Sequence, residues 1–269
     1  MMNIRTGHFG LISQLDAIAA AGYDSAELHV WEIMNFDNAQ YAIALQKVRD
    51  CGIPCCVFNN PLPMDIRIND DSFVFTYYKE YMKRAVDRMA KMGARYVNFG
   101  NGRTRRIPED GDMAEAVGRN MEVIGMLCDL AAEANITVML EPIGTTITNF
   151  VTTISEAYMY VQRLGKSNLK TMVDYRWFIN VEGYSYAELE KYAKFVVHAH
   201  IDYPLSILPQ RIDPTVSDGH DYSHYFEALE RMDYDGILSI ETNFHPNFEQ
   251  DIRSGMALLN KYGVPSISR

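Results

Sequence analysis

The sequence predicts an α/β fold, a single (β/α)₈ TIM barrel that occupies residues 1–269, and three observations lead to this prediction. Short apolar segments alternate with longer segments of helical spacing along the whole chain, and eight such units can be counted. No proline- or serine-rich linker divides the series. A length of 269 residues is also close to the usual size of one α/β barrel. An open doubly wound sheet is the structural alternative.

Each predicted strand is a short apolar run. The eight runs are Asn3–Phe9, Ser25–Val30, Pro54–Asn59, Tyr96–Phe99, Thr137–Glu141, Lys170–Asp174, Val196–Ile201 and Gly236–Glu241. Helices are predicted between them, and several begin at a capping residue and end at a glycine. Three examples are Ser13–Gly22, Asp37–Gly52 and Ser155–Gly165.

The charge balance disfavours a nucleic-acid partner. The chain carries 35 acidic and 25 basic residues, and its formal net charge of −10 repels a polyanion. Basic residues cluster only at Arg103, Arg105 and Arg106. We expect these three arginines to lie in a solvated loop, with a phosphate site as the alternative.

The composition is that of a protein without a membrane segment. No apolar run approaches the length of roughly 18 residues that a membrane span needs, and no leader pattern is seen at the start. The cysteines Cys51, Cys55, Cys56 and Cys128 do not have the spacing of a zinc ribbon. We therefore expect reduced thiols and a cytoplasmic location.

The last four predicted strands each end in a residue that can bind a metal ion. These residues are Glu141, Asp174, His200 and Glu241. In a barrel of this kind, the C-terminal strand ends meet at one face and carry the functional groups. Three carboxylates placed so close together repel each other unless a cation neutralises them. The sequence therefore predicts one divalent metal ion bound by these four side chains.

Three carboxylates and one imidazole suit several divalent ions. Manganese (Mn²⁺) is our first choice, with Mg²⁺, Co²⁺ and Zn²⁺ as alternatives. His198 also lies on the seventh strand, and we expect only one of the two histidines to face the interior. His200 is chosen because it is nearer the strand end, and His198 is expected to be a hydrogen-bonded core residue.

The same motifs resemble the xylose-isomerase-like barrel superfamily of sugar and sugar-phosphate isomerases and epimerases. Glu141 in "LEPIG" is similar to its strand-five motif, and Asp174 is similar to its strand-six aspartate. His200 resembles the second histidine of "H-x-H", and Glu241 the glutamate of "DG-x-L-S-x-E". With "SAEL" resembling the second strand, the similarity covers essentially the whole chain.

The resemblance implies a reaction through an enediolate on a ketose, keto-sugar or sugar phosphate. In the ketose 3-epimerases of this superfamily, a metal ion binds two adjacent substrate oxygens, and two glutamates act on opposite faces of the sugar. Carried over, Glu141 removes a proton from the carbon next to the carbonyl, and Glu241 returns one from the other face.

The chain departs from the family pattern at three places. Trp177 stands where a histidine usually follows the strand-six aspartate, and Gly144 stands where relatives often have asparagine. The arginine that usually follows "H-x-H" closely is found only at Arg211. We expect Trp177, Arg211 and His8 to bind substrate. A packed loop aromatic is the alternative for Trp177, and a solvated arginine is the alternative for Arg211.

These departures leave a second activity open. A lyase of the same superfamily, a keto-inositol dehydratase or a deglycosidase of 3-keto C- or O-glycosides, would use the same metal-stabilised enolate. A deglycosidase would imply a small β-rich partner subunit, whereas the isomerase leaves a homo-oligomer open. An apurinic endonuclease is disfavoured, because strands three and four lack the histidines that its zinc ions need.

Overall fold

Eight parallel strands form a closed barrel in a computed structural model that describes residues 3–207, 209–243 and 245–266. Each strand pairs with the next one in the chain, and β1 pairs with β8 to close the barrel. The strands are β1 Arg5–Gly10, β2 Ser25–His29, β3 Val57–Asn59, β4 Tyr96–Phe99, β5 Thr137–Leu140, β6 Leu169–Asp174, β7 Val196–Ile201 and β8 Ile237–Ile240. The (β/α)₈ barrel prediction is therefore confirmed.

Helices lie outside the strands and cover the barrel. They are α1 Leu15–Ala20, α2 Val30–Asn35, α3 Asn38–Asp50, α4 Phe75–Lys91, α5 Met113–Glu133, α6 Ile154–Leu164, α7 Tyr175–Ile179, α8 Tyr186–Lys191, α9 Ser223–Arg231 and α10 Phe248–Lys261. Short 3₁₀ turns precede α1 at Ile12–Gln14 and β7 at Ala193–Phe195. No helix in the described part of the chain is long and apolar enough to cross a membrane.

Capping residues set several helix ends, as the sequence indicated. The side chain of Asp37 accepts a hydrogen bond from the backbone of Gln40 at the start of α3. Helix α6 ends at Gly165, which has a φ of 62°. Its N-cap is Thr153, two residues before the predicted start at Ser155, because the Thr153 hydroxyl accepts from the Glu156 amide at 3.1 Å.

The barrel interior has an apolar floor beneath its polar rim. Met139, Met172 and Ile237 belong to a small buried cluster separate from the main core between strands and helices. Side chains two apart on a strand point to the same face. Glu141, Asp174 and Glu241 therefore stand above this floor, at the C-terminal mouth of the barrel.

The four cysteines are free thiols in the structure, as predicted. Cys55, Cys56 and Cys128 are buried, and Cys51 is half-buried.

Candidate active site

Four strand-end side chains meet at the C-terminal mouth of the barrel. Glu141, Asp174, His200 and Glu241 each offer one ligand atom, and these atoms all lie within 4.8 Å of one another. Glu141, Asp174 and His200 are buried, and Glu241 is partly exposed. The structure thus brings together the four residues that the sequence singled out as metal ligands.

The chemistry of this group fits a divalent cation. Oε1 of Glu141 and Nδ1 of His200 are buried and form no hydrogen bond with the described residues. Nδ1 of His200 lies 3.1 Å from Oε2 of Glu241 and 3.9 Å from Oδ2 of Asp174. A buried nitrogen and a buried oxygen that form no hydrogen bond, next to two further carboxylates, are suitable donors for an ion such as Mn²⁺ or Mg²⁺.

The acids of this group repel one another in the ligand-free protein. Burial, followed by the charge of Glu241, raises the pKa of Glu141 to about 8. Burial would also raise the pKa of Asp174, but Arg211 and His200 lower it below its usual value. The two carboxyl groups therefore ionise at different pH values, and Glu141 is the one that resists ionisation.

Glu27, on β2, contacts His200 inside the barrel. Its two carboxylate oxygens both lie 3.1 Å from Nε2 of His200, and Oε2 also lies 2.9 Å from Nε2 of His198. All three side chains are buried. Because Nε2 of His200 donates to Glu27, Nδ1 is the atom left to face the other three carboxylates.

The expectation that only one of the two histidines faces the interior is wrong. His198 and His200 both contact Glu27 inside the barrel. The physical reason is the two-residue period of a strand, which puts residues i and i+2 on the same face. His198 is nevertheless a hydrogen-bonded core residue, as predicted.

Two residues of β4 and its following loop shape the position of Glu141. Asn98 donates from Nδ2 to Oε2 of Glu141 at 2.5 Å. At Gly100, an added Cβ would lie 1.9 Å from the same oxygen and 2.6 Å from Nδ2 of Asn98. Only glycine leaves room for this carboxylate.

Arg105 supports the same region from behind. Its guanidinium donates to the carbonyl oxygens of Phe99, Glu141 and Val151. The side chain is fully buried, so the expected solvated loop is wrong for Arg105. The prediction was wrong because three carbonyl oxygens, at the ends of β4 and β5 and in a following loop, replace the water that a guanidinium needs. Arg106 is exposed, as expected, and lies 3.5 Å from Glu109.

Arg211 is buried against two of the four candidate metal ligands and is not a solvated loop residue. It pairs with Oδ2 of Asp174 at 2.5 Å, with Oε2 of Glu241 at 2.5 Å and with Oδ2 of Asp202 at 2.9 Å. Asp202 in turn accepts from Arg176. Burial, partly offset by Arg211, raises the pKa of Asp202 to about 6. The network fixes Arg211 beside two of the four ligands.

Trp177 lies beside Arg211 at the mouth of the cavity. Its backbone amide donates to Oδ1 of Asp174 at 3.1 Å, and the Arg211 guanidinium carbon lies 6.0 Å from the ring centroid. A Cβ added at Gly144 would lie 2.7 Å from Cε3 of Trp177. Gly144 and Trp177, two of the departures from the family pattern, thus lie against each other, and a side chain at residue 144 would overlap the ring of Trp177.

His8 lies apart from this group. Its Nδ1 lies 2.8 Å from the carbonyl oxygen of Phe9, and its Nε2 lies 2.8 Å from Oδ1 of Asp213, whose other oxygen is 2.9 Å from His245. His8 does not line the cavity above the four ligands. Its role in substrate binding stays a prediction.

A cavity of about 570 Å³ opens above the ligand group. Its lining includes Glu141, Ile143, Trp177, Arg211 and Glu241. Such a volume falls within the range of small-molecule sites in proteins.

Comparisons with known proteins agree with this architecture. The sequence profile of the xylose isomerase-like TIM barrel family matches residues 15–262. The chain belongs to this family. A mouse protein provisionally named a hydroxypyruvate isomerase is 24% identical over 266 residues, which cover 94% of this chain and 90% of the relative. A ketose 3-epimerase from Arthrobacter globiformis is 24% identical over 244 residues, which cover 88% and 80% of the two chains.

A sugar epimerase with a solved structure has the same fold. The D-allulose 3-epimerase from Methylomonas sp. superimposes with a TM-score of 0.80 at 14% identity, covering 97% of this chain and 99% of that one. At this identity, the similarity concerns the fold alone. The family membership makes this chain a relative of sugar isomerases and epimerases.

Several residues that support the site are not among those that the strand-end pattern predicts. They are Glu27, Asn98 and Asp202. A signal existed for Glu27 and Asn98, because both lie on inward-facing positions of apolar strands and therefore need a polar partner.

Proposed function

We propose that this protein is a divalent-metal-dependent isomerase or epimerase of a ketose, keto-sugar or sugar phosphate, acting through an enediolate. The observation that supports the proposal is the convergence of Glu141, Asp174, His200 and Glu241 within 4.8 Å under an open cavity. Relatives that are named isomerases and epimerases support the same reaction class. The lyase that the sequence left open receives no support from these relatives.

Glu141 and Glu241 are proposed to move the proton. Glu141 takes it from the carbon next to the carbonyl, and Glu241 delivers one from the other face. A carboxylate at this position can accept a proton from the substrate and release it again. Asn98, which donates to Oε2 of Glu141, keeps that carboxylate oriented during the transfer.

Asp174 and His200 complete the proposed ligand set. A divalent ion, with Mn²⁺ as our first choice, supplies positive charge beside the developing oxyanion when it is bound there. Arg211 and Trp177 are proposed to bind the substrate, because both line the cavity next to Glu241. The guanidinium of Arg211 can donate to a sugar oxygen, and the indole can cover an apolar sugar face.

The test is deuterium exchange at the carbon next to the carbonyl. Purified protein loaded with Mn²⁺, Mg²⁺, Co²⁺ or Zn²⁺ is incubated in D₂O with ketoses, ketose phosphates and keto acids. Mass spectrometry then measures the deuterium incorporated, and chromatography identifies the epimer or isomer formed. We expect exchange that depends on the metal ion and is abolished by chelation.

Variants separate the catalytic carboxylates from other acids. Glu141→Gln and Glu241→Gln should each abolish formation of the epimer or isomer, whereas Glu115→Gln, at an exposed position of α5, should leave it unchanged. A metal-loaded protein that exchanges no proton with any of these substrates would contradict the proposed function.

A further inference from the structure

The wall of the cavity formed by the ends of β3 and β4 carries polar atoms without partners. Asn59 is 2% exposed and Asn101 is 7% exposed, and both line the cavity. Oδ1 of Asn59 and Nδ2 of Asn101 form no hydrogen bond with the described residues. Buried amide groups normally find a partner. These two atoms are therefore available to a molecule inside the cavity.

Arg103 is a cation without a counterion on the same wall. It lines the cavity, and it forms no hydrogen bond or ion pair with the described residues. The other arginine of the lining, Arg211, is already paired with three carboxylates. The lining contains two acids, Glu141 and Glu241, and both belong to the proposed metal site. Arg103 is therefore free to meet a negative charge brought by a ligand.

The overall charge of the protein makes such a cation significant. A formal net charge of −10 repels small anions from the surface. An anionic substrate therefore needs a local cation in the cavity. A guanidinium provides several donors in a plane that match a phosphate or a carboxylate.

We propose that Arg103, Asn101 and Asn59 form a subsite for an anionic group of the substrate. This inference rests on the proposed function and narrows its substrates to ketose phosphates or keto-sugar acids. Arg103 and Nδ2 of Asn101 donate to the phosphate or carboxylate oxygens. Oδ1 of Asn59 accepts from a neighbouring hydroxyl, because an anion offers it no proton. The carbonyl end of the substrate then lies over Glu141 and Glu241.

The test uses polyols that lack a carbonyl, so that binding is measured without any reaction. D-glucitol, D-glucitol 6-phosphate and D-gluconate are titrated calorimetrically into the protein loaded with Mn²⁺. We expect at least one of the two anionic polyols to bind at least about tenfold more tightly than D-glucitol, the difference expected for one charge-assisted hydrogen bond. The stronger of the two identifies phosphate or carboxylate as the group recognised.

Two arginines of one loop provide matched variants. Arg103→Gln should remove the preference for the anionic polyol and leave D-glucitol binding within about twofold. Arg106→Gln serves as the control, because Arg106 lies outside the cavity next to Glu109. Equal binding of all three polyols by the wild-type protein, or an equal loss in both variants, would overturn the proposal.

The polyol-binding test does not depend on whether the protein catalyses the proposed reaction. If the anionic polyol is preferred but no ketose exchanges deuterium, the subsite stands and the proposed function fails. If neutral ketoses turn over as efficiently as their phosphates and acids, and Arg103→Gln changes nothing, the proposed function stands and the subsite fails.

Discussion

The indole of Trp177 lies over Gly144 so closely that a Cβ at residue 144 would come within 2.7 Å of Cε3 and 3.1 Å of Cζ3. Gly144 therefore creates the space that Trp177 occupies at the cavity mouth. The ring of Trp177 can adopt this position only because residue 144 has no side chain.

A double-mutant cycle should reveal this coupling. Gly144→Ala is expected to destabilise the protein by about 1–3 kcal/mol, because it overpacks the ring. In a Trp177→His background the same change should cost less than about 1 kcal/mol, since the smaller ring removes the clash. Denaturant unfolding of the four proteins gives both values, and equal costs in the two backgrounds would show that the residues are not coupled.

Glu27→Gln tests the orientation of His200. A glutamine has no negative charge and only one acceptor oxygen, so Nδ1 of His200 should be held less firmly toward the other ligands. Loss of such a partner behind a histidine ligand typically lowers metal affinity by about 10- to 100-fold. Calorimetric titration with Mn²⁺ measures the change. Glu32→Gln is the control, since Glu32 accepts from the Ile12 amide outside the site; a similar loss in both variants would contradict this role for Glu27.

Metal binding should become stronger as the pH rises toward about 8. In the metal-free protein the pKa of Glu141 is raised to about 8, first by burial and then by Glu241. Glu141 is therefore protonated below that pH and must lose its proton to bind a cation. Burial would lower the pKa of His200, but Glu27 and Glu241 raise it, which adds to the same trend. Titrations with Mn²⁺ between roughly pH 6 and pH 9, on both sides of this pKa, should show release of at least one proton and an affinity that levels off above about pH 8.

The metal-free protein should become less stable as the pH rises, whereas its affinity for a metal ion should increase. Because the folded-state pKa of Glu141 lies above the unfolded value, the folded protein binds more protons than the unfolded chain between pH 4.5, the ordinary pKa of a glutamate, and about pH 8. The contribution of Glu141 to the free energy of unfolding is therefore present at low pH and is lost as the pH rises through about 8. Glu141→Gln should reduce this dependence, and an unchanged pH profile of chelator-treated protein would count against the raised pKa.

Gly100→Ala should disrupt the candidate metal site, although the substitution creates no cavity and removes no charge. Its Cβ would lie 1.9 Å from Oε2 of Glu141, so the carboxylate must move away from its ligand position. We expect metal affinity to fall by at least about tenfold, in line with other changes that misplace a ligand. Gly118→Ala in α5 is the control, because a Cβ there meets nothing within 4 Å and should stabilise the helix by about 0.5–1 kcal/mol. Intact metal binding in Gly100→Ala would contradict the geometry described for Glu141.

The sequence by itself determined the barrel and the four candidate ligands. Alternating apolar and helical segments are local features, and the C-terminal end of each strand is read directly from where its apolar run stops before Glu141, Asp174 or Glu241. The same local patterns placed α3 and the glycine end of α6 correctly, but they missed the Thr153 cap, which depends on which hydroxyl reaches the Glu156 amide.

Only the tertiary structure decided how those ligands are held. Glu27 reaches His198 across 171 residues of sequence, and Arg211 pairs with Asp174 across 37. The displaced arginine thus reaches the site despite its late position in the chain, and Arg105 is buried where the sequence favoured solvent. These contacts arise from the closure of the barrel, which brings side chains from distant strands and loops into one small volume. Periodicity and strand-end positions contain no information about which of those side chains meet.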